Sequence, residues 1–305
     1  MKCLDFKKQH TMAAQVLIAE NSYVEMAFEQ NSQKGQDRPF EGTTPSGKRY
    51  FGVFDGHGSN SVISELTKYI INGELAECMD ESSPIHAVQN KLNNRKVCGK
   101  FECSGATMNF GILHGNALTV MNCGDSRMIV FKNGELIYIS DEHGCDNLKE
   151  KQRLAPYANF TKSSGIKAIS ETEIIGIPGE YIQTPNGLMA VTQALGHDNN
   201  LAPAPDIHVI HFEPTDEIIA VSFTDGVSDM LIYERENMDE IRPEDIRLIY
   251  ELSAEELKNR ILERWLQSWD MTPLNTPTMD GVRFNKNECD DIGVTRMVIR
   301  PKAKA

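Results

Sequence analysis

Short apolar runs that break at an aspartate or at a glycine-containing turn, separated by stretches of helical spacing, set the pattern of this chain. Tyr50 to Phe54 is an apolar run of aromatic and β-branched residues around Gly52, long enough for a buried strand. The run stops at Asp55, and Gly56-His57-Gly58 predicts a tight loop whose backbone approaches another group. Upstream, residues 12 to 30 alternate weakly and supply one or two opening strands. Downstream, Val62, Ile63, Leu66, Ile70 and Ile71 recur at helical spacing. Ser83-Pro84 then offers a capping residue and a first-turn proline ahead of Ile85, Val88 and Leu92. Two helices are therefore expected after the first strand block.

The middle reads as a β-meander: Ala106–Leu113, Ala117–Met121, Ser126–Lys132 and Glu135–Ile139, joined by turns at 114–116, 124–126 and Asn133-Gly134. Residues 141 to 187 hold a short helical piece around Leu148 to Leu154, then a polar stretch with Gly and Pro that suits a surface flap over 144–187. A strand pair follows, Ile207–Phe212 and Glu217–Thr224, and ends in Asp225-Gly226, which repeats the Asp55-Gly56 pattern. Ser253 and Glu256 have capping-box spacing before Leu257, Ile261 and Trp265, predicting a helix to about Trp269. Asp290-Asp291 then precede a closing strand, Ile292 to Ile299. Strand blocks that alternate with helix pairs predict helices packed outside two sheets, in one domain over 1–305.

Composition narrows the classes. At 40% hydrophobic and 25% charged residues, the chain reads as a soluble globular protein. A net charge of −13 argues against a general nucleic-acid or anionic-membrane binder and fits carboxylates gathered around cations. No apolar run approaches membrane-spanning length, and Met1 to His10 has no signal-peptide core. The seven cysteines form no CxxC pair, so neither zinc nor a disulfide framework is expected. Reduced thiols point to a cytoplasmic or nuclear protein, and the expectation is a monomer.

Asp37, Asp55, Asp225 and Asp290 each sit at the edge of an expected strand, and Asp125 sits in a turn. Carboxylates clustered without cationic partners repel one another, and divalent cations relieve that repulsion. All-oxygen ligation, to which the Gly56 carbonyl can add, suits magnesium or manganese. Two such ions activate water for displacement at phosphorus. The bland alternative is a set of ordinary Asp-Gly turns; spacing alone does not bring these acids together.

The ordered segments GQD, VFDGHGS, SGAT, NCGDSR, DEH, ALGH, TDGVSD and CDDIGVT resemble those of the protein phosphatase 2C family of metal-dependent serine/threonine phosphatases. The resemblance runs from about residue 20 to 300. It implies an α+β fold, a four-layer α-β-β-α sandwich of two mainly antiparallel sheets flanked by helix pairs, with the metals at one end. It also implies two Mn²⁺ or Mg²⁺ ions, and a third, weaker one. Asp55 would bridge two ions, with a bridging hydroxide as nucleophile. The Gly56 carbonyl, Asp225 and Asp290 would complete the ligands, and Asp37, in the first acidic motif, counts with them among the metal acids. Asp125 and Asp229 match acids associated with the third ion. His57 matches the histidine that protonates the leaving alkoxide; a loop hydrogen bond is its structural alternative.

The chain departs from the family pattern at several positions. Gln36 stands where Glu is usual, Ser32 where a phosphate-holding Arg lies, Gln193 and His197 where Arg and Asp are common, and Asp291 where Asn is. Of these, Ser32 bears on phosphate affinity, while Gln193, His197 and Asp291 concern fold support. Two readings follow. One is a working enzyme that dephosphorylates phosphoserine and phosphothreonine in protein substrates. The other is a catalytically impaired relative that keeps the fold as a binding or scaffolding module. A phosphatase of small phosphorylated molecules differs only in the surface around the site.

Overall fold

The computed structural model of the chain describes residues 22–30, 34–95, 103–184 and 187–300. A five-strand sheet and a six-strand sheet lie face to face. The first has the order β1 (Ser22–Glu29), β18 (Ile292–Ile299), β13 (Ile218–Phe223), β6 (Arg127–Lys132) and β7 (Glu135–Ile139). The second runs β12 (Asp206–His211), β5 (Ala117–Cys123), β4 (Ser104–His114), β3 (Arg49–Gly58) and β2 (Arg38–Thr43), with the two-residue β11 (Leu195–Gly196) also on β4. Every pairing in these two sheets is antiparallel. Phe51, Leu118, Val120, Val130, Ala220 and Met297 fill the space between them. On the outer face of the second sheet lie α1 (Ser61–Ile71), α2 (Glu74–Asp80) and α3 (Pro84–Arg95), which bury Val62, Leu66, Leu75 and Val88 against Phe54 and Met108. On the first sheet lie α6 (Pro243–Glu251) and α7 (Ala254–Leu266), with Ile249, Leu257 and Ile261 against Val221 and Val294. The four expected layers are present.

A second body of strands stands beside the sandwich. β8 (Asn159–Ala168) and β9 (Glu173–Thr184) form a long hairpin, β10 (Gly187–Met189) adds to one end, and β16 (Ser268–Thr272) joins β9 in parallel and carries β17 (Met279–Arg283). The flap expected over 144–187 is thus sheet rather than irregular chain, reached through the helix α4 (Leu148–Leu154). The short α5 (Asp225–Ser228), the 3₁₀ turn His197–Asn199 and the hairpin of β14 (Tyr233–Glu234) and β15 (Asn237–Ile241) complete the described elements.

Several expectations need correction. The middle strands are not a meander: β4 and β5 pair in one sheet, β6 and β7 in the other, and the chain crosses between sheets at 124–126. A tight turn and a crossover use the same residue types; Gly124, at φ +111°, supplies a conformation that either requires. The segments at 207–212 and 217–224 likewise belong to different sheets. β3 does not stop at Asp55 but keeps its pairing with β4 through Gly58. Three helices, not two, follow it, because Gly73 at φ +77° breaks the first pattern. The Ser253–Glu256 capping box forms, but α7 ends at Leu266 and Trp269 lies in β16.

Candidate metal centre

Every candidate acid is delivered to the same end of the sandwich by a strand end or a crossing. Asp55 is carried by β3, and Asp37 leads into β2, whose Arg38 pairs with Phe54. β13 and β18 are antiparallel neighbours with Phe223 opposite Val294, so Asp225 after one and Asp290 before the other meet. Asp125 lies on the crossing between sheets. Thr224 ties three of these segments together: its hydroxyl donates to Asp37 Oδ2 at 2.6 Å and accepts from the Gly293 N–H at 2.9 Å. The Gln36 N–H donates to Asp291 Oδ2 at 2.5 Å, joining the first acidic segment to the last.

Asp55, Asp125 and Asp225 each offer a carboxylate oxygen within 4.8 Å of the others. The Asp225 carboxyl is pushed up to about 6, by burial first and the Asp290 charge second. Asp37, Asp55 and Asp125 are raised well above the carboxylate range, again by burial first and then by the Asp225 charge, which at Asp37 follows a lowering Thr224 hydrogen bond. Asp229 is raised in the same way. Asp125 Oδ1 is buried and has no hydrogen-bond partner among the described residues. A convergent set of hard oxygens, electrostatically frustrated and with an acceptor left over, fits small divalent cations.

Asp290 and Asp37 lie outside that tight trio. Asp290 faces Lys34, whose Nζ donates to Oδ1 at 2.7 Å and Oδ2 at 2.8 Å. Burial works against the Lys34 ammonium, but Asp290 outweighs it and the pKa rises. Gln36 packs beside Gly56, where an added Cβ would lie 3.0 Å from the Gln36 Cβ, and its Nε2 donates to the Gly58 carbonyl at 3.1 Å. Ser32 lies outside the described residues. Gln193 sits in a buried network, donating to Glu150 Oε1 at 2.9 Å and accepting from the Ala204 N–H at 2.8 Å.

His57 meets His197 Nε2 to Nε2 at 2.8 Å. Burial, and secondarily the His197 ring, lower its pKa to about 3. Sequence reasoning treated His197 only as a substitution; its contact with His57 links residues 140 apart. It also passed over Glu142, whose charge raises both Asp125 and Asp229 and which lines a cleft of about 320 Å³ between these acids and the flap hairpin. The DEH segment contained that residue, though nothing in its spacing pointed to the centre.

Residues 20–242 match the family model described as Protein phosphatase 2C. The chain is 27% identical over 214 residues to the Probable protein phosphatase 2C 3 of Paramecium tetraurelia, a match that takes in 60% of this chain and spans 65% of that relative's length. Among solved structures, a C. elegans sex determining protein superposes with a TM-score of 0.57 at 17% identity, over 92% of this chain and 65% of its own. The S. agalactiae serine/threonine phosphatase gives 0.53 at 15% identity, over 92% of this chain and 100% of its own. At such identities the likeness concerns the fold. Asp290 and Asp291 lie beyond the residues matched by the family model.

Proposed function

Since the chain belongs to the protein phosphatase 2C family, we propose that it is a metal-dependent hydrolase of phosphoserine and phosphothreonine in protein substrates. The observation that carries this reading is the trio of Asp55, Asp125 and Asp225 within 4.8 Å, with an orphaned carboxylate oxygen at its edge. Asp55, Asp225, Asp290 and the Gly56 carbonyl would hold two Mn²⁺ or Mg²⁺ ions, with Asp125 and Asp229 on the flap side. When bound, the ions supply a water acidified for attack on phosphorus and offset the charge that builds on the transferring phosphoryl group.

The protein's own groups do the rest. Asp37, held by the Thr224 hydroxyl, would add its carboxylate to the same centre. Lys34 is the described cation closest in role to the missing arginine: released from Asp290, its ammonium is placed to attract the phosphate, as a point charge rather than a bidentate fork. His57 protonates the departing ester oxygen. The cleft between Asp125, Asp229 and the flap hairpin would take the phosphorylated residue.

Hydrolysis of an aryl phosphate and a phosphothreonine peptide, with Mn²⁺, Mg²⁺ or chelator, tests this. Turnover should require added metal. Full turnover under a strong chelator would overturn the assignment, and no turnover with any metal would favour the binding module.

A further inference from the structure

His197 is presented to His57 by a stretch of left-handed backbone. Gly196, His197 and Asp198 have φ of +85°, +47° and +50°, and two of these are not glycine. Left-handed backbone at such residues persists only where the surroundings hold it, and it gathers at functional sites. Here the surroundings are specific. Leu195 and Gly196 pair with Ala106 and Gly105 of β4, and the Gly196 N–H donates to Gln89 Oε1 of α3 at 2.9 Å. The 2.8 Å contact with His57 has ring centroids 4.9 Å apart and planes 14° apart. The centroid separation exceeds the nitrogen–nitrogen distance by about two ring radii, so the rings meet edge to edge, in plane, as an N–H···N bond requires. Gly105 makes room for them: a Cβ there would stand 2.3 Å from His197 Nε2 and 2.5 Å from His57 Nε2. Among the described residues His57 Nδ1 has no hydrogen-bond partner.

We propose that His197 is the positioning residue of His57, its Nε2 accepting the His57 Nε2–H so that only Nδ1 is left to exchange a proton with substrate. A neutral imidazole has one N–H, and the partner of one nitrogen decides what the other can do. With Nε2–H committed to His197, Nδ1 relays a solvent proton to the ester oxygen, which also receives the electron pair of the broken phosphorus–oxygen bond. The assignment rests on the reading of His57 as the group that protonates the leaving oxygen.

The test pairs His197→Asn, which tolerates left-handed backbone but is too short to reach, with His197→Gln, whose side-chain oxygen can still accept. For phenyl phosphate, a poor leaving group, His197→Asn should lower kcat by about tenfold to a hundredfold, the usual cost of removing an orienting partner. For 2,4-dinitrophenyl phosphate, which leaves without a proton, kcat should stay within about twofold. His197→Gln should recover most of the loss. In His57→Ala the further change His197→Asn should add nothing, since the residue acts through the ring. Calorimetric Mn²⁺ binding and thermal denaturation should be unaltered by His197→Asn. In ¹⁵N spectra His57 should be the Nε2–H tautomer in the parent protein and a mixture in His197→Asn. Equal slowing of both esters, additivity with His57→Ala, or an Nδ1–H tautomer in the parent protein would each overturn the proposal. If His57→Ala shows no leaving-group dependence, the proton-donor reading of His57 fails instead, and the ¹⁵N tautomers still decide the role of His197.

Discussion

At Asp225 and Asp55 the carboxylates suited to hold cations work against the protein that lacks them. Asp225→Asn and Asp55→Asn should each abolish nearly all turnover at saturating Mn²⁺. The same changes should raise the melting temperature of the metal-free protein near neutral pH, because each removes a repelling charge. A gain on the order of 1 kcal/mol corresponds to roughly 2–4 °C. Melting curves in chelator check the sign, and a lower melting temperature would refute the repulsion. Asp125→Asn should be milder, shifting chiefly the metal concentration for half-activity. Lys34→Gln removes a cation that competes at Asp290. It should lower the metal concentration for half-saturation by up to about fivefold, the scale of an exposed ion pair, while raising KM for a small phosphoester. If both parameters stay unchanged, Lys34 contributes to neither. Asp55 and Asp225 were legible because an apolar run ending in Asp-Gly marks a strand that delivers a carboxylate. The pairs Lys34–Asp290 and His57–His197 were not, since each joins residues that no local pattern relates.

Among the helices outside the sheets, α7 contacts the segment that bears Asp225. Trp265 is buried, its Nε1–H donates to the Gly226 carbonyl at 2.8 Å, and its ring meets Phe284 edge-on at 5.4 Å. It therefore braces the segment that begins at Asp225 and touches the one that leads to Asp290. Trp265→Phe keeps an aromatic ring and loses the donor. It should cost about 1 kcal/mol of stability and weaken Mn²⁺ binding by a fewfold, read by calorimetry. Unchanged metal affinity with lowered stability would limit Trp265 to packing. The sequence announced α7 through its capping box and periodic Leu257, Ile261 and Trp265, as it announced β3 through the apolar run Tyr50 to Phe54 and β18 through the largely apolar stretch after Asp290-Asp291. It concealed which sheet each strand joins. The turn at 124–126 has hairpin chemistry, yet β13 rather than β5 supplies the inner neighbour of β6, a choice made by packing across the whole sandwich. β16 was missed because Trp269, its buried residue, reads as the end of the helix before it, and β17 because its exposed residues carry little apolar signal.

For the whole molecule, acids of opposite character shape the dependence of stability on pH. Asp225 rises from 3.8 to about 6, so its contribution favours the folded state below pH 3.8 and is lost as pH climbs through 6. Asp216, lowered to about 2 chiefly by its hydrogen bond from Lys132, contributes above pH 3.8 and loses that contribution as pH falls toward 2. The metal-free protein should therefore melt highest near pH 4–5 and fall toward neutrality, while saturating Mn²⁺ should remove the fall above pH 5. A metal-free curve flat from pH 4 to 7 would contradict the electrostatics of the centre. The bond from the Gln36 N–H to Asp291 and the ion pair from Lys34 to Asp290 close loops of 255 and 256 residues, and β1 lies along β18 from Ser22–Ile299 to Glu29–Ile292. This has a consequence in time. During synthesis at roughly 5–20 residues per second, the segment bearing Asp37 waits on the order of tens of seconds for the strand that completes its surroundings. A nascent chain arrested anywhere before Asp290 should be inert toward phosphoesters, however much of its first sheet has already formed.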